Sequence, residues 1–268
     1  MTTANGLESK CDLLRSLHRA GTPLVLPNAW DAATAKAVAA AGFAAVATTS
    51  GGVAASLGYD DHEGAPAGEM LSAAARITRS VAVPVTVDAE AGYGMTAVDL
   101  VAGLKGVGAA GCNLEDTSHA TTTLRDPAQQ AAWLRGVREA ASDEGYPLVI
   151  NARIDVFIPS AFSGSAGPTQ GELVPEALRR ARAYLDAGAD CVYPIGLWEA
   201  GALAAFTSAC PGPVNVLRIP QAPSLTELAE LGVARVSYAS LLHRSMMEQF
   251  SRALASLAAE QGEHLRTG

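Results

Sequence analysis

One complete strand–helix–strand unit lies in residues 83–115, which read VPVTVDAEAGYGMTAVDLVAGLKGVGAAGCNLE. The run 83–88 is short and largely apolar on consecutive positions, as expected for a strand that is buried on both faces. A helical pattern over 96–107 follows, and Gly108 suits a left-handed helix end before the next strand, 111–115. These residues therefore predict one unit of a parallel sheet.

The same alternation continues along the chain on both sides of this unit. We predict strands at 24–27, 44–48, 83–88, 111–115, 148–152, 191–194, 214–217 and 235–237, and helices at 31–41, 69–80, 96–107, 127–144, 172–187, 198–208, 224–231 and 240–260. About eight such units without a linker predict an α/β fold, a closed (β/α)8 barrel of the TIM type, in one domain spanning 1–268. A doubly wound open sheet is the rival, but no G-x-G-x-x-G follows the first strand.

Composition excludes several classes of protein. The 268 residues are 49% hydrophobic and 17% charged, which excludes a disordered chain, and the net charge of -8 argues against general nucleic-acid binding. No stretch offers the ~18 uninterrupted apolar residues of a membrane span, and the first residues lack the apolar core of a signal peptide. Because the four cysteines form no C-x-x-C pair, we expect a cytoplasmic protein without disulfides or zinc.

Charged side chains follow three neighbouring candidate strands. Asp88 and Glu90 end the third strand, Glu115 ends the fourth, and Arg153 follows the fifth. The carboxyl ends of barrel strands converge, so these carboxylates would repel one another unless a divalent cation lay between them. Oxygen donors favour Mg²⁺ or Mn²⁺, and Arg153 would grip the carboxylate of a small anionic substrate. Each acid alone could instead cap a helix or form a surface ion pair.

Two stretches are predicted as long loops, 49–68 and 159–171, either at the catalytic face of the barrel or as simple surface connections. In the first, residues 50–52 (SGG) form a turn or present backbone N–H groups to an anion. Cys112 and Cys191 fall within predicted strands and are expected to be buried, inert thiols.

The motifs resemble those of the isocitrate lyase/phosphoenolpyruvate mutase superfamily. Residues 87–94 (VDAEAGYG) resemble its D-A-D-x-G-Y-G signature, and further matches occur in order at 27–31, 50–61, 113–116, 151–153 and 188–190. The resemblance spans about residues 21–245. It implies a (β/α)8 barrel whose last helix, here 240–265, is swapped between subunits of a homodimer or homotetramer.

The resemblance also implies the roles of individual residues. It implies Mg²⁺ (or Mn²⁺) held by Asp88, Glu90 and Glu115, and catalytic roles for Asp61 and Arg153. We add Asn215, near the end of the seventh strand, to the implied substrate pocket. The predicted pocket residues are then Trp30, Ser50, Gly51, Gly52, Asp61, Arg153 and Asn215.

Departures from the superfamily pattern bear on the subclass. Its lyases carry K-[KR]-C-G-H after L-E-D, whereas residues 117–125 here read TSHATTTLR, with neither cysteine nor lysine. The Lys and Asn that phosphonopyruvate enzymes use in this loop are also missing, the second acid of D-A-D is Glu90, and Ile195 stands where lyases often have Glu. His119 is therefore our first candidate for acid/base work and His62 the second, with a free surface histidine as the alternative for each.

Three functions remain open at this point. The first is a Mg²⁺-dependent lyase or decarboxylase that cleaves a C–C bond of a small α-keto or α-hydroxy di- or tricarboxylic acid through an enolate, with oxaloacetate-like, 2-methylisocitrate-like or alkylmalate-like substrates. The second is a P–C bond enzyme that acts on phosphonopyruvate-like substrates. The third is a barrel that binds a metabolite without turning it over.

Overall fold

The computed structural model describes residues 4–162 and 167–267, so residues 163–166 of the second predicted loop lie outside it. The strands are β1 (Leu24–Leu26), β2 (Asn28–Ala29), β3 (Val46–Thr48), β4 (Val85–Asp88), β5 (Gly111–Glu115), β6 (Thr117–Ser118), β7 (Thr123–Leu124), β8 (Val149–Ile154), β9 (Cys191–Pro194), β10 (Asn215–Leu217) and β11 (Arg235–Ser237). The helices are α1 (Ala4–Ser16), α2 (Ala32–Ala40), α3 (Ser50–Leu57), α4 (Ala67–Thr78), α5 (Ala97–Gly106), α6 (Pro127–Asp143), α7 (Ile158–Phe162), α8 (Gln170–Asp186), α9 (Ala200–Ala209), α10 (Leu225–Glu230) and α11 (Leu241–Thr267).

The parallel strands close into a barrel. One ladder runs in the order β2-β3-β4-β5-β8-β9, and a second runs β1-β11-β10. A parallel bridge between Val192 and Val214 joins β9 to β10, and only Pro27 separates β1 from β2. β1 pairs with β11 on one side, β2 pairs with β3 on the other, and together they occupy one position in the ring. The ring therefore has eight strands, and the predicted barrel-type α/β fold is confirmed.

The junctions between helices and strands follow the predicted punctuation. Gly42, Gly108, Gly188 and Gly232 all adopt positive φ, between 75° and 101°. This conformation lets each helix end within one residue and turn into the next strand, which a residue with a Cβ would resist. At the amino-terminal end of α6, the Asp126 side chain caps the helix and Pro127 occupies its first turn, as predicted.

Three predictions about local structure are wrong. Residues 50–57 of the first predicted loop form α3, because SGGVAASL is short-chained and apolar enough to pack a helix against the barrel. Residues 117–118 and 123–124, within the region expected to be a loop, pair as an antiparallel hairpin. In the second predicted loop, 158–162 are helical and α8 already begins at Gln170, where Thr169 forms a capping box with Glu172.

Helix α1, which the sequence analysis did not predict, lies across the amino-terminal end of the barrel. Its Leu14 is fully buried, and its Arg15 donates to Asp190 Oδ1 at 2.8 Å and to the Pro147 carbonyl. The described helices include none that is long and apolar enough to cross a membrane. All four cysteines are free thiols, as predicted.

Gly111 marks the tightest contact in this part of the core. A Cβ there would lie 2.7 Å from the Val149 carbonyl oxygen and 2.9 Å from Leu14, whereas a Cβ on Gly106 in α5 would meet nothing within 4 Å. We therefore expect Gly111→Ala to lower the free energy of unfolding by about 1–3 kcal/mol, because backbone must move to admit the methyl group. Gly106→Ala is the control and should leave stability unchanged or raise it by up to about 1 kcal/mol. Urea unfolding measures both; equal effects of the two substitutions would contradict this packing.

Candidate active site

The predicted acidic residues and Arg153 meet at the carboxyl end of the barrel. Strand register places Asp88 opposite Asn113, and Glu115 opposite Arg153. Since these pairs end adjacent strands, their side chains share one face of the barrel mouth. The structure thus brings Asp88, Glu115 and Arg153 to the same end of neighbouring strands, while their roles in binding stay a prediction.

Asp88 is held by the start of α3. The Ser50 amide donates to Asp88 Oδ2 at 3.0 Å, and the Asp88 amide donates to Thr48 Oγ1 at 2.8 Å. A Cβ on Gly51 would lie 2.6 Å from Asp61 Oδ2, so glycine is required for Asp61 to reach the cluster. The predicted anion-binding turn at 50–52 is thus the first turn of a helix, and its Ser50 amide serves the protein's own carboxylate.

Glu90 lies in a segment of unusual backbone. It is 3% exposed, and its Oε2 accepts a hydrogen bond from the Glu63 amide at 2.5 Å. Glu63 Oε1 in turn accepts from the Tyr93 amide at 2.5 Å. Glu90, Tyr93, His62 and Glu63 all have φ between 48° and 68°, a left-handed conformation that is costly for residues with a Cβ. Strain concentrated in two segments that bind each other is typical of a functional site.

Burial and the nearby charge of Asp88 raise the pKa of Glu90 to about 8, and the charges of Asp61 and Glu115 act in the same direction. Only the Glu63 amide favours the ionised carboxylate. Four carboxylates are therefore close enough to influence one another: Asp88, Glu90 and Glu115, which were expected from their strand positions, and Asp61, which lies between α3 and α4.

Arg153 is the positive centre of the site. Its Nε and Nη2 donate to the two carboxylate oxygens of Asp155, at 2.6 Å and 3.0 Å, and its Nη1 forms an ion pair with Glu115 Oε2. His119 Nε2 lies 2.5 Å from the other oxygen, Glu115 Oε1, and this contact raises the pKa of His119. The His62 ring stands 5.2 Å from that of His119, centroid to centroid. The structure thus brings together His119, His62 and Arg153, and adds Asp155, whose pairing with Arg153 the sequence analysis did not anticipate.

Asp116 anchors this arrangement from beneath. It is fully buried, and its Oδ2 accepts from Arg180 at 2.9 Å and from the Tyr184 hydroxyl at 2.7 Å. Its Oδ1 accepts from the Asp155 amide at 2.9 Å. Two helical side chains from α8 thereby fix the backbone that carries Arg153 and Asp155. The sequence signal was present in the L-E-D motif, but nothing in it identified Arg180 as the partner.

The barrel interior below the site is polar. Arg235 is fully buried, and its Nη2 donates to Asn113 Oδ1, which also accepts from Asn151 at 2.8 Å. Asn215, predicted at a strand end, is instead the first residue of β10 and pairs in register with Arg235. The premise that Asn215 lies near the end of its strand is wrong, because Asn215 begins β10 and Leu217 ends it.

Trp30 is mostly buried and packs edge-on against His243 of α11, with ring centroids 4.9 Å apart. It belongs to an apolar cluster with Val53 and Met70. Trp30 thus packs as a core aromatic, and its contribution to the substrate pocket stays a prediction. Cys112 and Cys191 are fully buried, and burial raises the pKa of both thiols to about 12, as expected for inert cysteines.

The donor atoms fit a hard divalent cation in kind. Within residues 4–162 and 167–267, no three Asp, Glu, His or Cys side chains stand in a ready-made metal-binding arrangement. In the same part of the chain, however, the buried oxygens Asp61 Oδ1 and Asp88 Oδ1 have no hydrogen-bond partner. These oxygens lie beside Glu90, and the neighbouring charges disfavour the ionised form of Glu90. A Mg²⁺ ion would pair the free oxygens and offset these charges.

A cavity of about 310 Å³ adjoins this cluster. Arg153, Asp155 and the two histidines border it on one side, and the β6–β7 hairpin and the start of α7 border it on the other: His62, Thr117, His119, Thr122, Thr123, Leu124, Arg153, Asp155, Ile158 and Pro159. A small organic acid of the predicted kind would fit beside the acidic cluster.

Comparison with known proteins agrees with this geometry. The model of the family described as phosphoenolpyruvate phosphomutase matches residues 14–258. The uncharacterised protein Rv1998c of Mycobacterium tuberculosis is 34% identical over 249 residues, 93% of this chain and 89% of its own. The 2,3-dimethylmalate lyase of Eubacterium barkeri is 33% identical over 187 residues, 67% of this chain and 61% of its own.

Solved structures extend the comparison. A hypothesised phosphonomutase from Burkholderia cenocepacia J2315 superposes with a TM-score of 0.85 at 42% identity, covering 92% of this chain and 99% of its own. Phosphonopyruvate hydrolase in complex with oxalate and Mg²⁺ superposes with a TM-score of 0.79 at 23% identity, covering 94% of this chain and 87% of its own, and so shows the fold alone.

The raised pKa of Glu90 predicts that the stability of the protein depends on pH. Glu90 has a pKa of about 8 in the folded protein against an ordinary 4.5, so between these values the folded chain holds a proton that the unfolded chain has released. The contribution of Glu90 to stability therefore falls as pH rises through this window. In EDTA, the free energy of unfolding of Glu90→Gln, relative to that of the parent protein, should rise by about 1–3 kcal/mol from pH 5 to pH 8.

Urea unfolding at the two pH values measures this difference. Glu139→Gln, on the exposed side of α6, is the control and should follow the parent protein. If Glu90→Gln also follows the parent protein at both pH values, Glu90 is not the strained acid that the geometry indicates.

Proposed function

The chain belongs to the phosphoenolpyruvate phosphomutase family, and we propose that it is a Mg²⁺-dependent lyase that breaks a C–C bond in a small 2-oxo or 2-hydroxy di- or tricarboxylic acid. Substrates of oxaloacetate-like, 2-methylisocitrate-like or alkylmalate-like structure are the candidates. The observation that carries the proposal is the cluster of Asp61, Asp88, Glu90 and Glu115 beside the doubly paired Arg153. This arrangement offers oxygen donors to a cation and one guanidinium to an organic anion.

Asp88 and Glu90 would hold the ion, with Glu115 and Asp61 contacting it or its waters. Glu115 already binds Arg153 and lies against His119, which favours an indirect role for it. When bound, Mg²⁺ acts as a Lewis acid that stabilises the negative charge developing on a substrate oxygen. The oxalate and Mg²⁺ present together in the phosphonopyruvate hydrolase structure support this pairing of ion and small dicarboxylate.

The side chains of the chain itself supply orientation and proton transfer. Arg153 would bind a substrate carboxylate through the Nη1 group that Glu115 now occupies, while Asp155 keeps the guanidinium in its plane. The contact with Glu115 raises the pKa of His119 and so favours its protonated form, and from the border of the cavity His119 would deliver a proton to the carbon of the enolate. His62, whose ring lies 5.2 Å from that of His119, would line the same side of the substrate site.

A P–C bond enzyme is the second candidate, favoured by the 42% identity to the hypothesised phosphonomutase. Recognition of a phosphonate dianion calls for several cations. The three lysines of this chain lie at positions 10, 36 and 105, on α1, α2 and α5, and the residues 117–125 contribute none. This distribution of charge favours the C–C lyase.

We propose in addition that α11 is exchanged between subunits of a homodimer or homotetramer, and that 1–268 form one domain. His243 at the start of α11 packs on Trp30, but residues 244–261 are all exposed. Along this part of the helix runs an exposed apolar stripe at helical spacing: Leu242, Met246, Phe250, Leu254 and Leu257. A stripe of this length on a 27-residue helix requires another protein surface, and a second copy of the chain supplies it. The four free cysteines support a reducing, cytoplasmic setting.

Loss of the cation or of its main ligand should abolish turnover. We expect pyruvate or glyoxylate release from one member of a panel of oxaloacetate, isocitrate, 2-methylisocitrate, alkylmalates and phosphonopyruvate, dependent on Mg²⁺ and stopped by EDTA. Asp88→Asn should lower kcat/KM by about 100-fold or more, because transition-state charge loses its counter-charge. Asp143→Asn, on the exposed end of α6, should retain activity.

The panel also separates the candidates. Phosphate release or rearrangement of phosphonopyruvate, followed by ³¹P NMR, would replace the C–C lyase by the P–C enzyme. Silence across the panel, with oxalate still raising the melting temperature, would indicate a binding protein.

The assembly is tested by the mass of the protein in solution. We expect light scattering after size exclusion to give a dimer or tetramer, and Phe250→Asp to shift it towards the monomer because a charge enters the apolar stripe. Gln249→Asp adds the same charge to the neighbouring exposed position of α11 and should leave the assembly intact. A monomeric parent protein would refute the exchange of α11.

A further inference from the structure

The cavity beside Arg153 lies under the β6–β7 hairpin, and its chemistry differs from that of the acidic cluster. Given the proposed lyase, a substrate held by Arg153 would direct the substituent farther from the cation towards this cavity of about 310 Å³. The walls of this cavity would then limit which substituents fit. The hydrogen bonds of the residues that line it show which groups are left to contact a ligand.

The hydroxyl groups on the hairpin are already bonded within the protein. Thr117 Oγ1 donates to Asp155 Oδ2 at 2.5 Å, and the hydroxyls of Thr121 and Thr123 lie 2.8 Å apart. Thr122 Oγ1 donates to the Thr121 carbonyl at 2.7 Å. Most of the hydroxyl hydrogens on the hairpin are therefore already donated within the protein, which leaves few donors for a ligand carboxylate.

The rest of the far wall is apolar. Leu124, 41% exposed, borders the cavity from the hairpin, and Ile158 and Pro159 border it from the start of α7. An alkyl group placed here would cover Leu124 and Ile158 and gain the free energy of apolar burial.

The positive charges at the cavity already have partners. Among the described residues that line it, Arg153 is the one guanidinium, and both its edges are bound by Asp155 and Glu115. His119 faces Glu115 at 2.5 Å. An additional carboxylate in the cavity would meet Asp155 nearby and, among the described lining residues, no Arg or Lys that is free of a carboxylate partner. Its desolvation would be poorly compensated.

We propose that this cavity is the specificity pocket of the enzyme and that it selects an uncharged alkyl substituent over a carboxyalkyl one. The substrate class is then an alkyl-substituted malate or related 2-oxo acid, not a tricarboxylate. For 2,3-dimethylmalate the C2–C3 bond breaks, the C2 hydroxyl loses its proton and becomes the ketone of pyruvate, and C3 gains a proton to give propionate. The reaction needs no oxidant, reductant or co-reactant.

Two substrates that differ only at this substituent provide the first test. 2,3-Dimethylmalate carries a methyl group on C3 where 2-methylisocitrate carries a carboxymethyl group, and both release pyruvate. With Mg²⁺ present, kcat/KM for 2,3-dimethylmalate should exceed that for 2-methylisocitrate at least tenfold. An equal or reversed ratio overturns the inference. Release of pyruvate from neither counts against the proposed lyase, and the binding test below then judges the pocket by itself.

Binding of matched 2-oxo acids is independent of turnover. 2-Oxopentanoate and 2-oxoglutarate have the same carbon chain and differ by a terminal methyl group against a carboxylate. Calorimetry in Mg²⁺ should give at least tenfold tighter binding of 2-oxopentanoate. Equal or tighter binding of 2-oxoglutarate overturns the inference whether or not the protein is a lyase.

A single substitution should reverse the preference. Leu124→Arg places an unpaired cation on the exposed hairpin. We expect it to raise the affinity for 2-oxoglutarate at least fivefold and to lower the affinity for 2-oxopentanoate. Leu13→Arg on α1 is the matched control, since Leu13 is similarly exposed at 47% and lies at the other end of the barrel. Unchanged binding by a folded Leu124→Arg protein, with its melting temperature preserved, would show that the hairpin does not face the ligand.

Discussion

The ion pairs that Arg153 makes with Glu115 and Asp155 are the constraint on which the rest of the site depends. Several carboxylates converge at the mouth of the barrel, where burial disfavours the charges of Glu90 and Glu115. One guanidinium held in a plane by Asp155 offsets two of them and leaves Asp88 and Glu90 without a protein cation. The removal of Arg153 would leave two buried acids uncompensated, a change that costs several kcal/mol in other buried pairs, about 3–5. The site is thus arranged around one fixed cation, and in the proposed function Asp88 and Glu90 would bind a second one, the metal ion.

The fold holds this arrangement through backbone groups as much as through side chains. The Ser50 amide fixes Asp88, the Glu63 amide fixes Glu90, and Asp116 fixes the Asp155 amide. These bonds cross between neighbouring strand ends, so the catalytic face is tied together without the substrate. The left-handed conformations at Glu63 and Glu90 show what that rigidity costs locally. A preorganised set of carboxylates stabilises charge as it develops without first having to move.

Much of the fold was predictable because the barrel repeats one simple pattern. The strands at 111–115, 191–194 and 235–237 were located to the residue, since apolar runs between glycine-ended helices have few alternative conformations. Helix α3 was missed because Ser50, Gly51 and Gly52 are typical turn residues, and only tertiary packing against Trp30 and Asp61 makes them helical. The carboxylate cluster followed from strand ends alone. The partners of Arg153, the Asp116–Arg180 anchor and the position of Asn215 in β10 did not, because they depend on side-chain direction and strand register across the whole ring.

The most direct test of the central claim is calorimetric titration of oxalate into the parent protein with Mg²⁺ and, separately, with EDTA. Oxalate is planar and doubly charged, as a pyruvate enolate is, and it needs both a divalent cation and a guanidinium as counter-charges. The account predicts binding with Mg²⁺ and a loss of at least 100-fold in affinity with EDTA. Oxalate binding of equal strength in both conditions, or in neither, would contradict the claim that these carboxylates exist to place a cation beside Arg153.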